Sequence, residues 1–159
     1  MAGREFSGYD ASDGSVFHNA DMILVDPPAD LLPTLEYFFV SIGFRGLTLS
    51  TAEEHDRRIA YTSQLTHIIA SAYIRSPAAM EHTGFSAGSF RSMTRVAYLN
   101  EKMWTELFLE NRDNLIEEIR ILQEHLSEYE NALVSGNART LQSLLRDRRV
   151  RREKVEEQA

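Results

Sequence analysis

The sequence changes character at about residue 50, and this change limits the folds that the chain can adopt. The first 50 residues hold five of the eight glycines and three of the four prolines, whereas the remainder consists mainly of long stretches of helix-forming residues. Glycine and proline interrupt regular structure, and apolar residues recurring every three or four positions favour amphipathic helices. We therefore predict a mainly α protein, with two short β-strands near the N-terminus.

The N-terminal part has the order strand, helix, strand. Asp21–Val25 is apolar and bounded by turn-forming residues, which suits a short buried strand. A helix that begins at Asp30 or Pro33 would end at Gly43, and Leu47–Leu49 would form a second strand. This order is typical of a parallel crossover unit, but two strands alone make a poor sheet. The unit is therefore expected to lack neighbouring strands.

The remainder of the chain is predicted to be helical, with one interruption. Ser50 or Thr51 is a suitable N-cap, and glutamates follow in the first turn, where the helix dipole favours carboxylates. The predicted segments are a helix from Thr51 to about Arg75, an irregular glycine- and serine-rich segment from Gly84 to Ser92, a long helix from Asn100 to Leu133, and a last helix from Ala138 to Glu157.

The long helix carries a continuous apolar seam. Its residues alternate in spacing between four and three positions; they are Leu115, Ile119, Leu122, Leu126, Tyr129 and Leu133. The seam could pack on helices of the same chain or on those of a second chain. Because a fragmentary sheet and long helices leave much apolar surface to cover, we expect a homodimer formed through the long C-terminal helices.

Composition excludes several classes of function. The net charge of -7 argues against a general nucleic-acid binder, and glutamates directly follow the basic run near the C-terminus. No apolar stretch approaches the ~20 residues that a membrane-spanning helix needs. There are no cysteines, which excludes disulfides and thiolate metal sites. We expect a cytoplasmic protein without a nucleic-acid or membrane partner and without a bound metal.

Two stretches could carry chemistry. In the helix after Thr51, His67 shares a stripe with Ser63 and Asp56, although a histidine among aliphatic residues is more often a hydrogen-bonded core residue. Further on, Arg91 and Arg95 lie one helical turn apart. Two guanidinium groups could grip a carboxylate, or they could pair with surface glutamates. The residues alone leave both alternatives open.

Taken together, these stretches resemble the helical C-terminal domain of the prephenate dehydrogenase family. The matching segments, in order, are His55-Asp56, Ser63–His67, Phe90–Ala97, Met103-Trp104 and Glu110-Asn111. The opening stretch Met1–Gly8 is similar to the family's loop, which runs His-Pro-x-Ala-Gly-x-Glu-x-Ser-Gly. The resemblance extends from Met1 to about Leu133.

This resemblance implies an oxidative decarboxylation in tyrosine biosynthesis. Prephenate would transfer a hydride to NAD or NADP, lose carbon dioxide and become 4-hydroxyphenylpyruvate. The family combines an N-terminal dinucleotide-binding domain with a helical domain that forms the dimer, and the active site lies between them. On this basis, residues 1–50 are the end of a dinucleotide-binding domain, and residues 51–159 form a helical domain for substrate binding and dimerisation.

The resemblance also implies roles for particular residues. His67 matches the histidine of the helical domain in the substrate site, and Arg95 matches the arginine that binds a substrate carboxylate. Three matches are weaker. Gly3 and Glu5 match a loop beside the substrate, and Trp104 matches a tryptophan near the site and the dimer contact. The expected substrate-binding residues of a prephenate-like ligand are His67, Arg95, Gly3, Glu5, Ser63 and Trp104.

Two departures from the family pattern limit this assignment. Ser92 stands where the family commonly has an aspartate, so local ion pairing is expected to differ. The family's catalytic histidine belongs to a His-Pro pair that would immediately precede Met1, and the glycine-rich dinucleotide loop would lie further upstream. We therefore expect no catalytic residue in this chain, no bound NAD or NADP, and no dehydrogenase activity by the chain alone.

Two other hypotheses fit the same residues. The chain could be a stand-alone helical dimer that binds tyrosine or 4-hydroxyphenylpyruvate as a sensor or interaction module. It could also be one part of an enzyme split over two chains, completed by a separately encoded nucleotide domain.

Overall fold

The structure is a computed structural model that describes residues 13–157, so the predicted site residues Gly3 and Glu5 lie outside the described residues. The chain divides into two compact units, Met1–Leu115 and Ile116–Ala159. The described residues are mainly helical, with a small sheet near the N-terminus. The predicted fold class is therefore confirmed.

The first unit begins with the predicted strand, helix, strand order. Strand β1 spans Asp21–Val25, helix α1 spans Leu32–Ser41 and strand β2 spans Gly46–Ser50. The two strands are parallel, and Ile23 lies opposite Thr48. The crossover unit is confirmed, and in the described residues it forms a sheet of only two strands.

Aromatic packing holds α1 on the sheet. The Phe44 ring is buried and lies 5.0 Å from that of Phe17 and 5.6 Å from that of Phe39, measured between centroids. Gly43 ends the helix as predicted, with a φ of +110° that L side chains rarely adopt. A Cβ atom there would also lie only 2.5 Å from the His18 ring, so the turn requires glycine.

An ion pair joins the start of β1 to the residue that precedes β2. Arg45 Nε donates to Asp21 Oδ1 at 3.0 Å, and a second guanidinium nitrogen bonds the other carboxylate oxygen. This hydrogen-bonded arginine holds the pKa of Asp21 below its ordinary value. Because the pair is exposed to solvent, its main effect is to fix the position of Arg45 rather than to stabilise the fold strongly.

The long helix predicted after Thr51 is present, but it is not uniform. Thr51 is its N-cap, since the Thr51 hydroxyl accepts a hydrogen bond from the Glu54 N–H at 3.1 Å. Helix α2 spans Ala52–Ile59, a π-helical segment spans Ala60–Leu65 and helix α3 spans Thr66–Ile74. A π-helical turn holds more residues than an α turn, so it rotates the α3 side chains away from the stripe that regular α spacing predicts.

The segment from Gly84 to Ser92 was expected to be irregular, and this is wrong for its second half. Helix α4 spans Gly88–Thr94, and a 3₁₀ turn spans Arg95–Ala97. The Thr94 hydroxyl donates to the Phe90 carbonyl at 2.9 Å within the helix. Helix α4 forms despite its glycine and serines because it packs against α3.

The single helix predicted from Asn100 to Leu133 is wrong in one respect, since it is divided at Asn111. Helix α5 spans Glu101–Glu110 and helix α6 spans Arg112–Val134. The predicted start is confirmed, because the Asn100 side chain caps α5 by accepting from the Met103 N–H at 3.0 Å.

A buried amide cluster explains the break at Asn111. The Asn111 Nδ2 group donates to the Asp56 carbonyl at 2.8 Å and to Gln64 Oε1 at 2.9 Å. Gln64 Nε2 in turn donates to the Leu107 carbonyl at 3.1 Å, and Asn111 Oδ1 accepts from Asn114 at 2.8 Å. These bonds satisfy buried polar groups on α2, the π-helical segment and α5. Asn111 adopts a non-helical conformation to make them.

The second unit contains the rest of α6 and helix α7, which spans Ala138–Glu157 as predicted. The basic residues of α7 form ion pairs with acidic residues one turn away, such as Arg151 with Asp147 at 2.6 Å. This supports the interpretation of the basic run as a solvated helix surface. None of the helices within residues 13–157 is long and apolar enough to cross a membrane.

The amide cluster predicts the effect of replacing Gln64. Gln64→Met preserves side-chain length but leaves the Leu107 carbonyl and the Asn111 amide without their partner, so we expect the free energy of unfolding to fall by about 2 kcal/mol. Urea denaturation followed by circular dichroism measures this change. Gln142→Met, at an exposed position of α7, is the matched control and should change stability by less than about 0.5 kcal/mol. Equal stability of the two variants would contradict a stabilising role for the cluster.

Candidate functional site

His67 lies on α3 and is fixed by a backbone carbonyl. Its Nδ1 atom is 3.0 Å from the Val96 carbonyl oxygen, in the 3₁₀ turn that Arg95 begins. A carbonyl can only accept, so Nδ1 carries the proton in this bond and Nε2 is the acceptor of the neutral ring. The bond therefore defines the tautomer of His67 and holds its ring beside the residue that follows Arg95.

Trp104 packs against the same histidine. The centroids of the His67 and Trp104 rings are 4.0 Å apart, and the indole also contacts Phe108 at 5.3 Å. Trp104 lies in the first turn of α5, whose start is fixed by the Asn100 cap. Thus α3, the 3₁₀ turn after α4 and the beginning of α5 meet at His67.

Arg95 is brought to this point by α4. Its backbone N–H bonds the Arg91 carbonyl at the end of the helix, and its side chain is largely exposed. Val96, the next residue, carries the carbonyl that His67 binds. A guanidinium group and an imidazole are therefore held on adjacent parts of the backbone, an arrangement that suits recognition of an anionic, oxygen-rich ligand.

The other predicted members of the helical stripe lie in different elements from His67. Ser63 lies in the π-helical segment just before α3 and is half-buried. The Asp56 carboxylate instead lies 3.0 Å from His55 Nδ1 at the surface, and its backbone carbonyl belongs to the amide cluster. Among the predicted residues that are described, His67, Trp104 and the backbone next to Arg95 form one group.

A second concave region was not predicted. A cavity of about 440 Å³ is lined mainly by aromatic and small residues of α3, α4 and the loop between them; its larger lining residues are Tyr73, His82, Phe85, Phe90 and Met93. The His82 ring stacks on Phe90 at 4.7 Å. The cavity's lining residues all lie between Tyr73 and Met93, but they have no regular spacing that could have indicated it. Residues 13–157 contain no cluster of histidine and carboxylate side chains that could hold a metal ion.

The helical part of the chain matches a domain that is found in a class of dehydrogenases. Residues 51–147 match the family model described as "Prephenate dehydrogenase, dimerization domain". Because this match covers more than half of the chain, the chain belongs to the prephenate dehydrogenase family.

Curated relatives agree with this assignment. The cyclohexadienyl dehydrogenase of Zymomonas mobilis subsp. mobilis is 34% identical over 125 residues, a match that covers 73% of this chain and 42% of that protein. The prephenate dehydrogenase of Lactococcus lactis subsp. cremoris is 32% identical over 133 residues, which cover 80% of this chain and 36% of that protein. The chain thus spans less than half the length of these relatives.

Solved structures share the fold. The prephenate dehydrogenase of Aquifex aeolicus superposes with a TM-score of 0.84 at 21% identity, covering 97% of this chain and 57% of that one. A second structure of the Aquifex aeolicus enzyme, in complex with hydroxyphenyl propionate and NAD+, gives a TM-score of 0.81 at 22% identity over 98% of this chain and 57% of that one.

The ring contact at His67 can be tested with the fluorescence of Trp104, the only tryptophan. His67→Ala removes the ring that packs on Trp104 and the bond to Val96, so we expect the indole to become more solvated and its emission to shift to longer wavelength. His125→Ala, on the exposed surface of α6, is the control and should leave the spectrum unchanged. Identical spectra for the two variants would show that the His67 ring does not shield Trp104.

Proposed function

We propose that this chain supplies the substrate-binding half of a prephenate dehydrogenase, which converts prephenate to 4-hydroxyphenylpyruvate with NAD or NADP in tyrosine biosynthesis. The observation that carries the proposal is the hydrogen bond between His67 and the Val96 carbonyl. This bond holds an imidazole of defined tautomer beside Arg95. The family membership of the chain supports the same reaction.

The chemistry of these residues suits such a substrate. Prephenate carries two carboxylates, and a guanidinium group binds a carboxylate through two parallel N–H···O bonds. The Nε2 atom of His67 makes no hydrogen bond within the described residues, so it can accept from a substrate hydroxyl, or donate to a carboxylate when the ring is protonated. Trp104 gives the histidine an apolar backing that restricts its motion. We assign Ser63 a supporting position next to His67, and Gly3 and Glu5 a place in the loop beside the substrate.

The turn after β1 does not fit a dinucleotide cofactor. A pyrophosphate is usually bound where a glycine-rich turn leads from a strand into a helix N-terminus. Here β1 is followed by Asp26, Pro27 and Pro28, which add a negative charge and remove backbone N–H donors. Since the hydride acceptor must be held by other residues, we propose that this chain alone has no dehydrogenase activity.

We further propose that the chain forms a homodimer through α6 and α7. The apolar seam of α6 remains uncovered within the second unit at two positions, since Leu126 is 59% exposed and Leu133 is 64% exposed. A two-fold interface would pair such a seam with its own copy. The description of the matching family model as a dimerisation domain supports this proposal.

The dimer is tested by sedimentation velocity. The unaltered chain should sediment with twice the mass of one chain, and a variant carrying Leu126→Glu and Leu133→Glu should sediment as a monomer, because two charges would enter an apolar interface. Asn131→Asp adds a charge at an exposed position of α6 about 140° around the helix from Leu126 and should leave the dimer intact. A monomeric unaltered chain, or a dimer that survives both seam substitutions, would refute the proposed interface.

Ligand binding is tested by calorimetric titration with 4-hydroxyphenylpyruvate, the product of the proposed reaction. Arg95→Ala removes a charge-assisted hydrogen bond and should weaken binding by about tenfold to a hundredfold. Arg91→Ala removes the same charge one turn earlier and should have little effect. Equal losses in both variants would indicate general charge attraction instead of a site at Arg95.

An activity measurement separates the proposal from its alternatives. With prephenate and NAD, the chain alone should form no NADH, and an enzyme-like rate would disprove its inactivity. Binding of tyrosine or 4-hydroxyphenylpyruvate that depends on Arg95, without activity even when a nucleotide-binding domain is supplied, would favour the sensor hypothesis.

A further inference from the structure

Helix α5 meets the helix that carries His67 at two points, and the two contacts belong to one antiparallel alignment. Gln64 Nε2 donates to the Leu107 carbonyl at 3.1 Å, and the His67 ring packs on the Trp104 ring at 4.0 Å between centroids. His67 follows Gln64 by three residues, and Trp104 precedes Leu107 by three residues. Each step is close to one helical turn, about 4.5 Å along the helix axis. The two contacts therefore share one register.

The Leu107 carbonyl can accept from Gln64 because α5 ends nearby. The intrahelical bond to this carbonyl comes from the Asn111 N–H and is long, at 3.4 Å, since Asn111 has left the helical conformation. A carbonyl oxygen has two lone pairs, so it can accept from a second donor. Gln64 supplies that donor from a side chain that is only 5% exposed. Because the amide is buried, separating it from the carbonyl would leave a donor unpaired and would be costly.

The two contacts differ in what they fix. A hydrogen bond constrains both the distance and the direction of its partners, whereas packing between rings is compatible with a range of offsets. The other ring contact of Trp104 is with Phe108 on the same helix, so it moves with α5. A slip of α5 by one residue would shift it by about 1.5 Å and turn its side chains by about 100°, which would take the indole away from the imidazole. The bond of Gln64 opposes this slip.

We propose that Gln64 is a positioning residue for ligand binding at His67. Its bond to the Leu107 carbonyl sets the axial register of α5, and this register holds the Trp104 ring against the imidazole. The Val96 carbonyl fixes Nδ1 of His67 from another element, so the direction of Nε2 depends on both contacts. Gln64 acts through Trp104 and His67 and need not contact the ligand. This inference rests on the proposed function, in which Nε2 of His67 meets the ligand.

Another member of the amide cluster provides a matched control. Asn111 connects the end of α5 to α2, and Asn114 Nδ2 donates to Asn111 Oδ1 at 2.8 Å from the first turn of α6. Asn114→Ala removes this bond but leaves both partners of the Gln64–Leu107 bond in place. It therefore weakens the cluster without releasing the register of α5.

NMR of the full chain tests the register directly by comparing Gln64→Met with Asn114→Ala. The ring current of Trp104 displaces the ring-proton resonances of His67, because the two rings are in contact. In Gln64→Met, we expect these resonances to move towards those of His125, which is exposed on α6. In Asn114→Ala, they should stay in place. Circular dichroism verifies that both variants retain the helical content of the unaltered chain.

Calorimetric titration with 4-hydroxyphenylpyruvate measures the consequence for the site. Gln64→Met should weaken binding about tenfold, because the imidazole is no longer oriented before the ligand arrives. Asn114→Ala should change the Kd by less than about twofold. If Gln64→Met does not fold, Gln64→Asn takes its place, because the shorter amide remains polar but ends one methylene short of the Leu107 carbonyl.

Two results would overturn the positioning role. One is a folded Gln64→Met variant with unchanged His67 resonances and unchanged affinity, which would limit Gln64 to stabilising the fold. The other is an equal effect of Asn114→Ala, which would indicate general loosening of the cluster. The proposed function can fail separately. If the unaltered chain does not bind 4-hydroxyphenylpyruvate, that function is refuted, whereas the His67 resonances need no ligand and still test the role of Gln64.

Discussion

The helical framework of the first unit depends on the amide group of Asn111. This one side chain bonds the end of α2 and the π-helical segment, and it ends α5 by leaving the helical conformation. The cost of burying an amide is offset only when its donors and acceptor are all used, so the cluster fixes the relative positions of the elements that it joins. Gln64, which bonds both Asn111 and the Leu107 carbonyl, lies one turn before His67 on the same helix. The position of the histidine relative to α5 thus follows from buried hydrogen bonds outside the site.

The same framework explains why the group around His67 is well defined although its members are far apart in sequence. Three contacts from three elements orient a single imidazole: the helix that carries it, the Val96 carbonyl and the Trp104 ring. Because the imidazole is already oriented, less side-chain entropy is lost when a ligand binds to it. Arg95 is different, since its guanidinium is exposed at the end of a short helix. The candidate site therefore combines an oriented imidazole with an exposed guanidinium group.

The N-terminal crossover unit is held together by local packing but leaves apolar surface exposed. Its local parts are complete, because the aromatic cluster around Phe44 and the glycine turn at Gly43 hold α1 on the two strands. Its outer surfaces are incomplete, because within residues 13–157 no strand pairs with the outer edge of β1, and α1 exposes Tyr37 and Phe38. A two-stranded sheet is marginal in water unless further strands or helices cover it. The matches to two curated relatives cover only 42% and 36% of those proteins, so each contains a large part that this chain does not match.

Local chemistry in the sequence determined most element boundaries. The bounds of β1, the Thr51 and Asn100 caps and the glycine at Gly43 were predictable because each depends on residues within a few positions of one another. The family resemblance also predicted His67 and Arg95 as site residues, and the structure places the His67 ring against the backbone next to Arg95. Other features were decided only by tertiary structure: the division of the long helix at Asn111, the π-helical segment, helix α4 and the aromatic cavity beside it. Each of these depends on packing between elements, and such packing can override local helix propensity without leaving a periodic signal in the chain.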